Sequence, residues 1–143
     1  MARYVTTVTS SKSPEEAFRY MADLRNFSDW DRNIIKVEQV EGNGAGPGAK
    51  FDITVRGVGG KPSVLRYDTV EYDEFTNVLV KGRNTVFTSI DRITVTPTDT
   101  GCTVTYDAIL TANWIVAPMN LVLGAVFKKV GDSATKGLRK VLA

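Results

Sequence analysis

Histidine is absent from this chain, and its absence decides what the remaining reactive side chains can do. Ser-His-Asp and Cys-His catalysis, histidine-ligated zinc and the usual general base near neutral pH are all removed. Tyrosine, aspartate and arginine are left for acid–base or oxyanion work. The single cysteine, Cys102, stands at a strand start with no histidine to activate it and reads as a packed thiol. Carboxylates pair at Asp29 and Asp31 and again at Asp73 and Glu74. Both pairs fall at turns or helix ends, where carboxylates cap and solvate. Neither has glycosidase spacing, and neither gathers the oxygens of a calcium loop. No metal site and no cofactor is expected. The run Gly42-Asn43-Gly44-Ala45-Gly46-Pro47-Gly48 invites a phosphate-loop reading, but Gly48-Ala49-Lys50 opens a strand where a Walker loop needs a helix. A dinucleotide fingerprint fails on the same ground. The run reads as a flexible hairpin near a pocket mouth.

The remaining candidates are polar residues inside strands. Arg66 and Asp68 alternate with Val64, Val70 and Tyr72; Asp91 shares a face with Ile93 and Val95; Tyr106 shares one with Val104, Ala108 and Leu110. A charge on an otherwise apolar strand face is paired, at the sheet rim, or lining a wet cavity. A slip of one residue in register would reverse every inward assignment. The candidate ligand-contacting set is Trp30, Tyr67, Arg83, Asp91 and Tyr106, with Met119, Leu123, Val126, Phe127 and Val130 from a late helix. Trp30 is expected chiefly to pack short helices onto the sheet, with a pocket-rim role as the alternative.

The elements that must position these residues follow from periodicity. Arg3 to Thr9 alternates as a strand. Ser13-Pro14-Glu15-Glu16 marks a helix start: Ser13 caps, Pro14 suits the first helical position and Glu16 completes a capping box. Ala17, Phe18, Met21 and Leu24 form its buried stripe, and Asn26 to Asp31 reads as a second short helix or turn carrying Phe27 and Trp30. Period two then returns in Ile34 to Val40, Phe51 to Val55, Val64 to Tyr72, Val78 to Arg83, Phe87 to Val95 and Cys102 to Thr111. Gly57 to Pro62, Asp73 to Asn77 and Thr98 to Gly101 are connections too short for parallel crossovers, so these strands form a meander. After Pro118 the pattern is helical. Met119, Val122, Val126, Val130 and Val141 form one stripe, with Leu123, Phe127, Leu138 and Leu142 beside it. Gly124, Gly131 and Gly137 in this helix either leave volume facing the sheet or permit a close approach of backbones. The order predicts an α+β fold: a strongly twisted sheet of seven strands with a long C-terminal helix on its concave face.

Composition bounds the function. The 143 residues, 43% hydrophobic and 24% charged, suit one globular domain over 1–143. A net charge of +2 does not suggest nucleic-acid binding. From Asn113 onward Lys128, Lys129, Lys136, Arg139 and Lys140 face only Asp132. That imbalance is a solvated helix face or a docking face for an anionic membrane or acidic partner. One cysteine permits no intramolecular disulfide. Met1 to Ser10 lacks a signal-peptide core, and Ile115 to Phe127 is too short to span a bilayer. A cytoplasmic protein, monomeric or homodimeric, is expected.

The opening strand, Ser13-Pro14-Glu15-Glu16-Ala17-Phe18, Phe27-Ser28-Asp29-Trp30-Asp31, Gly46-Pro47-Gly48-Ala49-Lys50-Phe51, Tyr67-Asp68-Thr69-Val70-Glu71-Tyr72 and the late helix appear in an order that resembles the START-related, or SRPBCC, superfamily. The resemblance runs over essentially the whole chain. It implies a helix-grip fold with a cavity between sheet and helix, but no shared catalytic apparatus. Its members include carriers of lipids, sterols, hormones and quinones as well as polyketide cyclases and dehydratases. The expected function is binding or transfer of a hydrophobic small molecule such as a lipid, isoprenoid or polyketide-like aromatic. The alternatives are a polyketide cyclase or dehydratase, and a non-catalytic module docking through its basic helix.

Overall fold

The computed structural model describes residues 1–56, 60–113, 118 and 120–143. Strand β1 (Ala2–Ser10) leads into helix α1 (Pro14–Ala22) and a 3-10 helix over Leu24–Asp29. Six strands follow: β2 (Ile34–Glu41), β3 (Lys50–Arg56), β4 (Pro62–Asp73), β5 (Asn77–Arg83), β6 (Phe87–Thr98) and β7 (Gly101–Ala112). Helix α2 (Asn120–Val141) closes the chain. All seven strands form one antiparallel sheet in the order β1-β7-β6-β5-β4-β3-β2. The meander is therefore as expected, and β1 and β2 lie at opposite edges, so α1 and the 3-10 helix carry the chain across one end.

Local chemistry sets these elements. The Glu16 amide donates to Ser13 Oγ at 3.1 Å, the N-cap bond read from the sequence, with Pro14 in the first turn. The Glu16 carboxylate lies 3.8 Å from Lys12 Nζ. Asp23 caps the 3-10 helix through the Arg25 amide. Asn120 pins the start of α2 to the end of β7, accepting from the Ala112 amide at 2.9 Å and donating to its carbonyl at 3.3 Å.

The core is split. A large cluster joins Phe18, Met21, Leu24 and Phe27 to Phe51, Ile53, Val78, Val80, Ile93 and Val104. A smaller one joins Ala2, Ala112 and Leu123, with Phe87, Leu110 and Phe127 against it. Cys102 is buried in the larger cluster, and burial pushes its thiol up, so it stays protonated.

One feature of the helix differs from the sequence reading, and one alternative it left open is decided. Val122 and Val126 are 61% and 58% exposed, because the inward stripe of α2 runs one position over through Leu123, Phe127, Gly131, Ala134 and Leu138. Two of the three glycines, Gly131 and Gly137, serve close approach. A side chain at Gly131 would meet the Tyr4 ring, and one at Gly137 would meet the Trp30 carbonyl, while Gly124 faces open solvent. In the sheet, a bulge between Thr69 and Glu71 turns Tyr72 inward, whereas Val64, Arg66, Asp68 and Val70 look outward. On that outer face Arg66 pairs with Asp52 across the strands, and Lys50 lies 4.0 Å from Asp68. Arg66 thus realises the paired setting, while Asp68 Oδ1 is buried with no hydrogen-bond partner among the described residues.

Candidate ligand cavity

Between α2 and the concave face of the sheet lies a cavity of about 360 Å³. That is near the lower end of the range for small-molecule sites. Its apolar walls come from alternate positions of the strands: Ile53 and Val55 on β3, Leu65 on β4, Ala108 and Leu110 on β7. From α2 come Leu123, Val126, Phe127, Val130, Ala134 and Leu138. Exposed Arg56 and Val126 mark the mouth.

The inward alternation of β6 places Ser89 and Asp91 on the cavity wall two residues apart, opposite Gly82 and Val80 of β5 and Leu110 and Ala108 of β7. Tyr106 reaches them from β7. Its hydroxyl donates to one Asp91 oxygen at 2.5 Å, and the Ser89 hydroxyl donates to the other at 2.8 Å. Tyr67 of β4 lies beside Ser89, its ring laid over Gly82, where any side chain would strike it. Asp91 is only 4% exposed, and burial pushes its carboxyl up to about 6 against the opposing pull of the Tyr106 and Ser89 hydrogen bonds. The negative charge of Asp31 adds to the rise. Burial, with help from Asp91, also holds the Tyr67 and Tyr106 hydroxyls far above the ordinary tyrosine range. Both are protonated donors at any physiological pH.

Of the ten residues expected at the site, Trp30, Tyr67, Asp91, Tyr106, Leu123, Val126, Phe127 and Val130 line this cavity. Trp30 combines both roles considered for it: it packs against Phe27 at 4.8 Å and Tyr106 at 5.4 Å between ring centroids, and it walls the cavity. Arg83 does not join them. Gly82 takes the inward position of β5, so the next residue points outward and is exposed. Met119 lies outside the described residues. The glycine-rich run is also not at the mouth. None of its residues lines the cavity, and it joins β2 to β3 at the Lys50 end, ~20 Å along β3 from Arg56. Gln39 bridges it by bonding both the amide and the carbonyl of Gly44.

Asp31 and Ser89 are among the site residues that sequence reasoning missed, as are Tyr4, Thr6, Asn33 and Thr135. Asp31 accepts from the Asn33 amide at 2.9 Å, as a turn carboxylate should, but it also lines the cavity, and burial raises its carboxyl. Ser89 was legible as the inward position two before Asp91. Among the described residues no group of His, Cys, Asp and Glu could hold a metal ion, and no helix is long and apolar enough to cross a membrane.

A mixed sheet-and-helix grip around an apolar cavity defines a class, and the comparisons place the chain within it. It belongs to the polyketide cyclase / dehydrase and lipid transport family, whose model matches residues 1–143. A START superfamily protein from Mycobacterium smegmatis superposes with a TM-score of 0.78 at 14% identity, covering 99% of this chain and 97% of that one. The di-domain ARO/CYC StfQ from the steffimycin biosynthetic pathway gives 0.74 at 14% identity, covering 99% of this chain, which spans only 50% of StfQ. Ginseng major latex-like protein 151 from Panax ginseng gives 0.68 at 14% identity over 99% and 97% of the two chains. At such identities these likenesses establish the helix-grip, START-like fold. Among curated proteins none matches the sequence.

Proposed function

We propose that this chain, acting as one unit over residues 1–143, binds and carries a single apolar small molecule in the cavity between sheet and helix. The observation behind this reading is the cavity itself: about 360 Å³ walled mainly by aliphatic and aromatic side chains, with the hydrogen-bonded Asp91, Ser89 and Tyr106 cluster on one wall. Burial of apolar surface supplies affinity at roughly 25 cal/mol per Å² before ordering costs, and the polar wall fixes orientation. The family to which the chain belongs, described by both cyclases and lipid transport, supports this class of ligand. Solvent extraction of the purified protein followed by mass spectrometry tests the reading, alongside Ala108→Phe, which fills the cavity beside Asp91. An apolar compound recovered from the native chain and lost in the variant supports carriage. No recoverable or exchangeable apolar ligand in either chain overturns it. Asp91 and Tyr106 are also the pair this chain offers for acid–base work. Turnover of a polyketide substrate that Asp91→Asn abolishes would move the reading from carrier to enzyme.

A second reading, contact with an anionic membrane during loading, draws on the outer face of α2. Leu121 is 89% exposed beside Val122, with Val126 at the cavity mouth, and Arg32, Lys129 and Lys136 share an outer groove with Asp29 and Asp132. Apolar insertion next to cations suits an anionic lipid surface. Salt-sensitive sedimentation with anionic vesicles, lost in Leu121→Ser, supports it; equal recovery with neutral vesicles argues against it.

A further inference from the structure

The polar wall presents lone pairs to the cavity and few protons. Tyr106 and Ser89 both commit their hydroxyl hydrogens to Asp91, one to each carboxylate oxygen. The Ser89 and Tyr106 hydrogens thus both point toward the carboxylate. Tyr67 lies beside Ser89 on the same wall, and its protonated hydroxyl is a further donor lining the cavity. The Ser89 and Tyr106 oxygens and the remaining Asp91 lone pairs are what a guest would meet. A second carboxylate, Asp31, lines the cavity as well, and the one cation on the wall among the described residues, Arg56, sits exposed at the mouth, away from Asp91. Trp30 Nε1 is a buried donor with no partner among the described residues, on a side chain that walls this cavity 5.4 Å from the Tyr106 ring. A buried acceptor surface with the Trp30 and Tyr67 donors nearby is matched by a group that both donates and accepts.

We propose that the Asp91–Ser89–Tyr106 wall recognises a hydroxyl group, phenolic or alcoholic, at the buried end of an otherwise apolar guest. This deepens the carrier reading and rests on it. Arg56 at the mouth suits an acidic substituent at the opposite, outer end of the guest.

The test uses the full chain loaded with N-phenyl-1-naphthylamine, a neutral probe whose fluorescence reports apolar burial. The probe is displaced at neutral pH by 2-naphthol or by 2-methoxynaphthalene, which keeps the rings and the oxygen but lacks the proton. The expected result is displacement by 2-naphthol at roughly a tenfold lower concentration, the size of one good hydrogen bond to a charged acceptor. In Asp91→Leu that preference should vanish while the probe still binds. In Tyr106→Phe, which leaves one Asp91 oxygen free, the preference should persist or grow. The second variant keeps the proposal open to refutation if Asp91→Leu does not fold. Equal displacement by both compounds in the native chain overturns the hydroxyl proposal and leaves the carrier reading standing. A probe that does not bind the native chain overturns both.

Discussion

Asp91→Asn keeps the shape of the buried side chain and removes its charge, so comparison with the native chain isolates what burying that charge costs. The Asp91 carboxyl titrates at about 6 in the folded chain, raised by burial above the ordinary aspartate value. A rise of that size corresponds to about 3 kcal/mol of differential stability once both states are ionised. Because the folded value lies above the unfolded one, the folded chain holds the proton more tightly between about pH 4 and pH 6. The stability owed to Asp91 is therefore whole in acid, falls as pH rises through that window and is level above it. Urea unfolding of both chains from about pH 4.5 to 8 reads this directly. The stability of the native chain relative to Asp91→Asn should decline by about 2 kcal/mol across the range. Titrations common to both chains, including those of Asp52 and Asp132 with their lowered carboxyls, cancel in the difference. Asp31, which feels the charge at Asp91, cancels less completely. A flat difference, or one that rises with pH, would refute the account of Asp91 as a desolvated acid.

Gly137→Ala places a methyl group against the Trp30 carbonyl and should cost about 2 kcal/mol or more in urea unfolding, whereas Gly124→Ala, facing solvent, should gain up to about 1 kcal/mol. Arg66→Ala removes an outer-face pair with Asp52, both partners partly exposed, and should cost under about 1 kcal/mol without changing probe affinity. A larger loss, or weaker probe binding, would show that the outer face of β4 is coupled to the cavity.

The fold was legible because its signals repeat. Period two persisted through six strands with short connections, and the Ser13-Pro14 start fixed α1. Asp91 and Tyr106 were legible as polar residues on faces otherwise filled by Ile93, Val95, Val104 and Ala108, and the pairing of β6 with β7 brings those faces together. What the sequence hid are offsets that only packing decides. The bulge before Glu71 moved Tyr72 to the other face, because an extra residue breaks alternation without any compositional mark. On α2 the valines form a stripe as regular as the buried one, and contact with Tyr4 and Trp30, which only glycine allows, rotates Gly131 and Gly137 inward and leaves Val122 outside and Val126 at the mouth. Arg83 followed the same logic, since the inward position beside it belongs to a glycine under Tyr67. Asp31 sits in a turn with no periodicity to show which way it points.

Occupancy of the interior is the claim on which the rest depends, and residue-resolved amide NMR during titration with N-phenyl-1-naphthylamine measures it most directly. Shifts should concentrate at Leu65, Ser89, Ala108, Phe127 and Ala134, which surround the cavity from strands and helix alike. Shifts confined to the exposed Leu121 and Val122, with the strand residues unmoved, would place the probe on the surface and contradict an internal site.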